Sequence, residues 1–206
     1  MAESRFLIVN ADDLGLTPEV NAGIFEAHEH GVVTSTSLMV ERPAAIVAAE
    51  ALAEYPNLAV GLHLEPEDCR AQLERFRELV GRDPTHLDSH KHVHEAEPVS
   101  AVAEALAVEL GVPLRNRAVR YEGSFYGRPA GKPAPEAISS EHLIELIRSL
   151  PPGWTEIGCH PAAGSVPSSY DAERQIELRT LIDPHVKNLL NVSDVRLCSF
   201  AQVGER

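Results

Sequence analysis

Short apolar runs rich in β-branched residues recur seven times along the chain, at 6–9, 34–40, 58–64, 86–89, 118–121, 156–159 and 195–200. Segments of helical period separate most of them, at 18–30, 43–55, 67–80, 97–110, 140–150 and 172–181. Two parallel strands need a crossover of a dozen or more residues between them, so this alternation is the mark of βαβ units on a parallel sheet. The punctuation agrees. Thr17 and Pro18 suit the N-cap and first turn of a helix closed by Gly31, Pro56 and Asn57 make a turn, and Gly111 with Pro113 stops the helix over 97–110. Residues 122–135, with Pro129, Pro133 and Pro135 and no apolar period, read as a surface loop of the kind that covers sites. A chain of 206 residues with 44% hydrophobic side chains fits one domain over 1–206. The expected fold class is α/β: a distorted or incomplete (β/α) barrel of about seven parallel strands. An open doubly wound sheet is the alternative.

A barrel gathers its functional residues at the carboxyl ends of its strands. Metal-competent side chains follow four of the runs: Asp12 and Asp13, then His63, then Asp88 with His90, then His160. Two adjacent carboxylates repel unless a cation or a shared proton relieves them, although one of them capping the turn before Gly15 is the plainer reading. His63, inside the apolar GLHL, reads by itself as a hydrogen-bonded core residue. The segment His86-Leu-Asp-Ser-His-Lys-His-Val-His94 says more, since four histidines and an aspartate within nine residues are not the makings of an apolar core. In an extended backbone His86, Asp88 and His90 share a face, and His92 and His94 continue it if the strand persists. His160 precedes Pro161, which favours an extended backbone there, and a solvent-facing loop histidine is its plainer reading. Two imidazoles with one carboxylate, leaving positions open, form the ligand set of catalytic Zn2+ and of other hydrolytic divalent metals. No GxxxxGK, GxGxxG or GxSxG occurs, which removes the main support for phosphate-loop, dinucleotide and serine-hydrolase chemistry.

The formal charge is −13, from 18 Lys and Arg against 31 Asp and Glu, whereas nucleic acid and anionic membranes call for a concentrated basic surface. Cys69, Cys159 and Cys198 are odd in number and widely spaced, so neither a disulfide framework nor a cysteine zinc site is expected. The N-terminus lacks a basic start and a long hydrophobic region, and nowhere does an apolar stretch of about 18 residues occur. A cytoplasmic protein is the expectation. There is no coiled-coil heptad, and a homo-oligomer is compatible with the sequence without being specified by it.

Five segments, IVNADDLG at 8–15, TSTSLMV at 34–40, GLHL at 61–64, HLDSHKHVH at 86–94 and CHPA at 159–162, resemble in order the motifs of the YdjC-like carbohydrate deacetylases, which include the chitooligosaccharide deacetylases. Carried over residue by residue, the resemblance implies Asp13, His63 and His90 as ligands of one divalent metal ion. It implies Asp12 as catalytic base, His160 as general acid, and His86, Asp88, His92 and His94 as supporting or substrate-side residues. Two histidines suit Zn2+, while the family is associated with Mg2+; both are kept. The implied substrate is a sugar or oligosaccharide carrying an N-acetyl group. One departure is visible: 22 residues separate His63 from His86, where the family carries a substantial insertion that shapes the sugar cleft. Two other readings share these residues. A metal phosphoesterase would use Lys91, Arg115, Arg117 and Arg120 as cationic partners, and a sugar-binding relative without catalysis would keep the fold alone.

Overall fold

A computed structural model describes residues 4–204; residues 1–3, the start of the N-terminus read above as lacking a basic start, lie outside the described residues, as do 205 and 206. The chain runs β1 (Arg5–Leu14), α1 (Pro18–Glu29), β2 (Ser35–Leu38), α2 (Ala45–Ala51), β3 (Ala59–Leu64), α3 (Cys69–Val80), β4 (Leu87–Ser89), α4 (Val99–Leu110), β5 (Arg120–Glu122), α5 (Ser140–Ser149), β6 (Gly153–Cys159), α6 (Asp171–Leu181), α7 (Pro184–Val192) and β7 (Val195–Cys198). All strand pairs are parallel. Their order is β4-β3-β2-β1-β6-β5, with β7 also on β1. β1 is long enough to hold two partners along one edge: residues 5–8 pair with β7 and residues 10–14 with β2. Single bridges from Leu87 to Leu114 and from Arg115 to Val119 carry the curl onward from β4. The expected α/β fold, an incomplete barrel of seven parallel strands, is what the chain forms, and the open doubly wound sheet is set aside.

Alternation along β1 divides the interior in two. Leu7, Val9 and Ala11 belong to the main core with Ile24, Leu62, Phe76 and Leu106. Ile8 belongs instead to a small apolar plug with Val119 and Phe200, against which Trp154 and Val203 pack. Asn10 and Asp12 continue the face of Ile8 toward the carboxyl end, so a polar layer lies above that plug. Burying each large aliphatic or aromatic side chain of the two cores contributes roughly 1.5–3 kcal/mol.

Several expected boundaries shift for local reasons. The first apolar run ends at Val9, but β1 continues through Leu14 because its polar residues find partners inside the barrel. The fifth strand lies at 120–122 instead of 118–121, and the helix expected from 97 starts at Val99, after Pro98. α7 was not expected at all, although Asp183 caps it through the backbone N–H of His185 and Pro184 occupies its first turn. The strand does not persist past Ser89. A 3-10 turn over His90–Glu95 replaces it, with Lys91 and His92 at φ 52° and 55°. Among the described residues no helix is long and apolar enough to cross a membrane.

Candidate active site

In a regular strand Asp12 and Asp13 would face opposite sides of the sheet. They do not, because the β1–β2 register slips by one residue between Ala11 and Leu14, and Asp13 adopts φ 71°. Such a bulge re-aims a side chain. Asp is among the residues that tolerate positive φ, at a cost on the order of 1–3 kcal/mol. Both carboxylates consequently line one cleft of about 720 Å³, together with His63, His90 and His160.

Asp13 stands at the centre of a three-residue cluster. Its Oδ1 lies 3.5 Å from His63 Nε2 and 3.2 Å from His90 Nδ1, while Oδ2 accepts a hydrogen bond from Arg174 Nη2 at 2.5 Å. One ligand atom from each of Asp13, His63 and His90 falls within 4.8 Å of the others. The far nitrogen of His63, Nδ1, sits 2.8 Å from Asp88 Oδ1, the carboxylate–histidine support that fixes ring and tautomer at metal centres. Burial disfavours a charged His63, yet Asp88 and Asp13 outweigh it and lift the ring to about 10. Burial likewise opposes charge on Asp13, but His63, His90 and Arg174 hold it well below the usual carboxylate range. A positive charge is therefore favoured where the three side chains meet. Two imidazoles and a carboxylate with an open side fit a divalent cation there.

Asp12 is gripped by Arg115, which donates Nη1 to Oδ2 and Nη2 to Oδ1, both at 2.7 Å. The same guanidinium, fully buried, reaches Asp88 Oδ2 at 2.8 Å and Glu156 Oε1 at 2.6 Å. One arginine thus fixes three carboxylates in the barrel interior, a bidentate grip that lysine cannot reproduce. Burial alone would raise Asp12, but Arg115 keeps it below the ordinary value. Glu156 ends differently: burial dominates over Arg115 and lifts it to about 7.

His160, at the end of β6, places Nε2 3.9 Å from Asp12 Oδ2 and Nδ1 3.8 Å from Glu177 Oε1. Glu177 is buried on α6, accepts the backbone N–H of His160, and accepts the Tyr170 hydroxyl at 2.5 Å. Burial would lower His160, but Glu177, then Asp12 and Asp13, raise it. The loop read over 122–135 does border the cleft. Tyr126 stacks on Tyr170 at 4.9 Å, and the Gly127 N–H donates to the Tyr170 hydroxyl at 2.7 Å. A side chain on Gly127 would meet Glu173 and Ile138 at 2.8 Å, so the loop closes tightly there.

The remaining expected residues separate. Asp88 supports His63, as described. His86 lies outside the cleft, buried and stacked on Phe200 at 3.9 Å. His92 lines the cleft, whereas His94 is buried with Nδ1 2.5 Å from Ser89 Oγ. The shared face expected for His86 through His94 holds only to the end of β4, because the turn redirects the last two histidines. Arg115, Arg174, Glu156, Glu177 and Tyr170 were not foreseen in these roles. Of the cations named for phosphate binding, Lys91 lines the cleft, Arg115 is enclosed by carboxylates, and Arg117 pairs with Glu104.

The model of a family described as YdjC-like protein matches residues 6–65 and 67–192. The chain is 34% identical to a carbohydrate deacetylase of Geobacillus stearothermophilus over 249 aligned positions, covering 96% of this chain and 98% of that relative. It is 32% identical to a chitooligosaccharide deacetylase of Serratia marcescens, covering 95% and 98%. The Geobacillus alignment has more positions than this chain has residues, so that relative carries stretches absent here. Among solved structures, an Enterococcus faecalis protein named for cellobiose-phosphate cleavage superposes with TM-score 0.83 at 28% identity, covering 97% of this chain and 99% of that one. A family 4 carbohydrate esterase from Streptomyces lividans superposes with TM-score 0.58 at 13% identity, covering 96% and 93%, a likeness of fold.

Proposed function

Because the chain belongs to the YdjC-like protein family, we propose that Asp13, His63 and His90 hold one divalent cation and that Asp12 and His160 are the base and acid of an amide hydrolysis. The protein is a carbohydrate deacetylase, which removes the acetyl group from an N-acetylated sugar or oligosaccharide. When bound, the cation supplies polarisation of the acetyl carbonyl and lowers the pKa of water toward about 7. Asp12, kept ionised by Arg115, takes the proton of the attacking water. The water oxygen bonds to the acetyl carbon, the C–N bond breaks, and His160 gives its proton to the departing nitrogen. Acetate and a free amino sugar leave.

The observation that carries this reading is the pairing of Asp12, held below its usual pKa, with His160, held above it, across 3.9 Å at the edge of the Asp-His-His cluster. Two titratable groups whose surroundings push them apart are how one site keeps a base and an acid together. Mere sugar binding requires neither. A phosphoesterase would need free cations on the cleft, where Arg42 is paired with Glu65 and Arg174 with Asp13, leaving Lys91. Two nitrogen ligands in three favour Zn2+ over Mg2+, and elemental analysis of protein purified without added metal decides between them. Three buried cysteines suit a reducing cytoplasm.

Acetate release from N-acetylglucosamine oligomers tests the assignment. Asp12→Asn and His160→Ala are each expected to lower kcat about 10²-fold or more. Full turnover in both variants would contradict it.

A further inference from the structure

The turn that follows β4 carries a second set of metal-competent side chains. His92, His94 and Glu95 each bring one ligand atom within 4.8 Å of the others. None of the three belongs to the cluster around Asp13. His94 is fully buried, and its Nδ1 is engaged 2.5 Å from Ser89 Oγ, whose oxygen also accepts the His94 backbone N–H at 2.9 Å. That leaves His94 Nε2, which is buried and has no hydrogen-bond partner; His92 Nδ1 is in the same condition. Two buried ring nitrogens without partners, close to a carboxylate, are costly for a protein unless something accepts their lone pairs.

The surroundings are shaped as ligand supports. The His92 and His94 rings stand 6.0 Å apart at 64°, so they do not stack face to face. His92 is also held edge-on by Tyr121 at 5.0 Å. Glu95 accepts a hydrogen bond from Asn116 Nδ2 on Oε1, which orients the carboxylate. An engaged Nδ1 with a free Nε2, and a carboxylate fixed from outside, are how ligands are oriented before an ion arrives. The backbone departs from the ordinary at the same place, with Lys91 and His92 both at positive φ.

We propose that His92, His94 and Glu95 form a second divalent-metal site, separate from Asp13, His63 and His90, that takes a zinc-class ion. Two imidazole nitrogens and one carboxylate select Zn2+ or its borderline neighbours over Mg2+, which prefers an octahedral oxygen shell. Glu95 is exposed, so the ion enters from solvent without opening the core. Bound there, it holds His92 against the C-terminal end of the turn that presents His90. The site does not depend on the deacetylase reading, since occupancy is measured without turnover.

The test is calorimetric titration of chelator-stripped protein with Zn2+. Wild type is expected to take up two equivalents per chain, the His92→Asn, Glu95→Gln double variant one, and Asp13→Asn one. Glu95→Gln alone, an isosteric change at an exposed position, is expected to weaken one equivalent and leave the other, and it decides the matter if the double variant does not fold. Zn2+ uptake that Asp13→Asn abolishes altogether overturns the proposal, as does a stoichiometry and affinity that Glu95→Gln leaves unchanged.

Discussion

Asp88→Asn separates two demands that a carboxylate meets together. Asp88 Oδ1 faces His63 Nδ1 at 2.8 Å, and Oδ2 receives Arg115 at 2.8 Å, Asn10 Nδ2 at 3.3 Å and the Ser37 hydroxyl. An asparagine of the same shape has one oxygen and one NH2, so it can accept on one side only. Hydrogen bonds to a charged group contribute about 1.5–3 kcal/mol, against about 1 kcal/mol for neutral ones. The oxygen therefore turns to Arg115 and Asn10, and the NH2 turns to His63. His63 Nδ1 must then accept, which moves its proton to Nε2, the atom that faces Asp13 and would bind the cation. Loss of such a support weakens metal binding roughly 10–100-fold, equivalent to about 1.4–2.7 kcal/mol. Competition with a chromophoric chelator measures the dissociation constant, and a thermal melt of the metal-free protein reports the damage at Arg115 separately. An unchanged dissociation constant for the ion lost on Asp13→Asn would refute the support role of Asp88.

Two further outcomes are expected. Glu177 raises the pKa of His160, and a raised folded-state pKa keeps the protonated form until pH climbs through it. Glu177→Gln removes that charge, so the alkaline limb of the kcat–pH profile moves to lower pH while the acid limb stays; an alkaline limb that does not move argues against His160 as the acid. Gly61→Ala places a Cβ 2.4 Å from the His86 ring, which is wedged against Phe200, and overpacking of this kind costs about 1–3 kcal/mol. Tm should fall by several degrees, and an unaltered melt would show that His86 can shift.

The strands and the metal-competent positions were legible because both are local patterns: apolar runs, and Asp or His at the places where those runs stop. Asp12, Asp13, His63, His90 and His160 announce themselves this way and meet in one cleft. Arg115 does not, since its significance comes from partners 103 and 41 residues away and its neighbours carry no periodic signal. Glu177 and Arg174 look like ordinary charges on an amphipathic helix until α6 turns them inward. The course of 90–95 is hidden for a related reason. Alternation tells which residues share a face while a strand lasts, but not where it ends, and Lys91 and His92 leave the β region without a glycine to signal it.

The bulge at Asp13 has one more consequence. With the proposed proton acceptor and cation ligand on consecutive peptide units, their spacing is governed by bond lengths and a single pair of dihedrals. Breathing of the barrel, which slides one strand past another, changes the reach to His63, His90 or His160 but leaves that spacing intact. The same economy makes the pair fragile to a one-residue deletion at this point in β1. Regular pleating would return, and one of the two carboxylates would swing out of the cleft into the apolar layer under the helices.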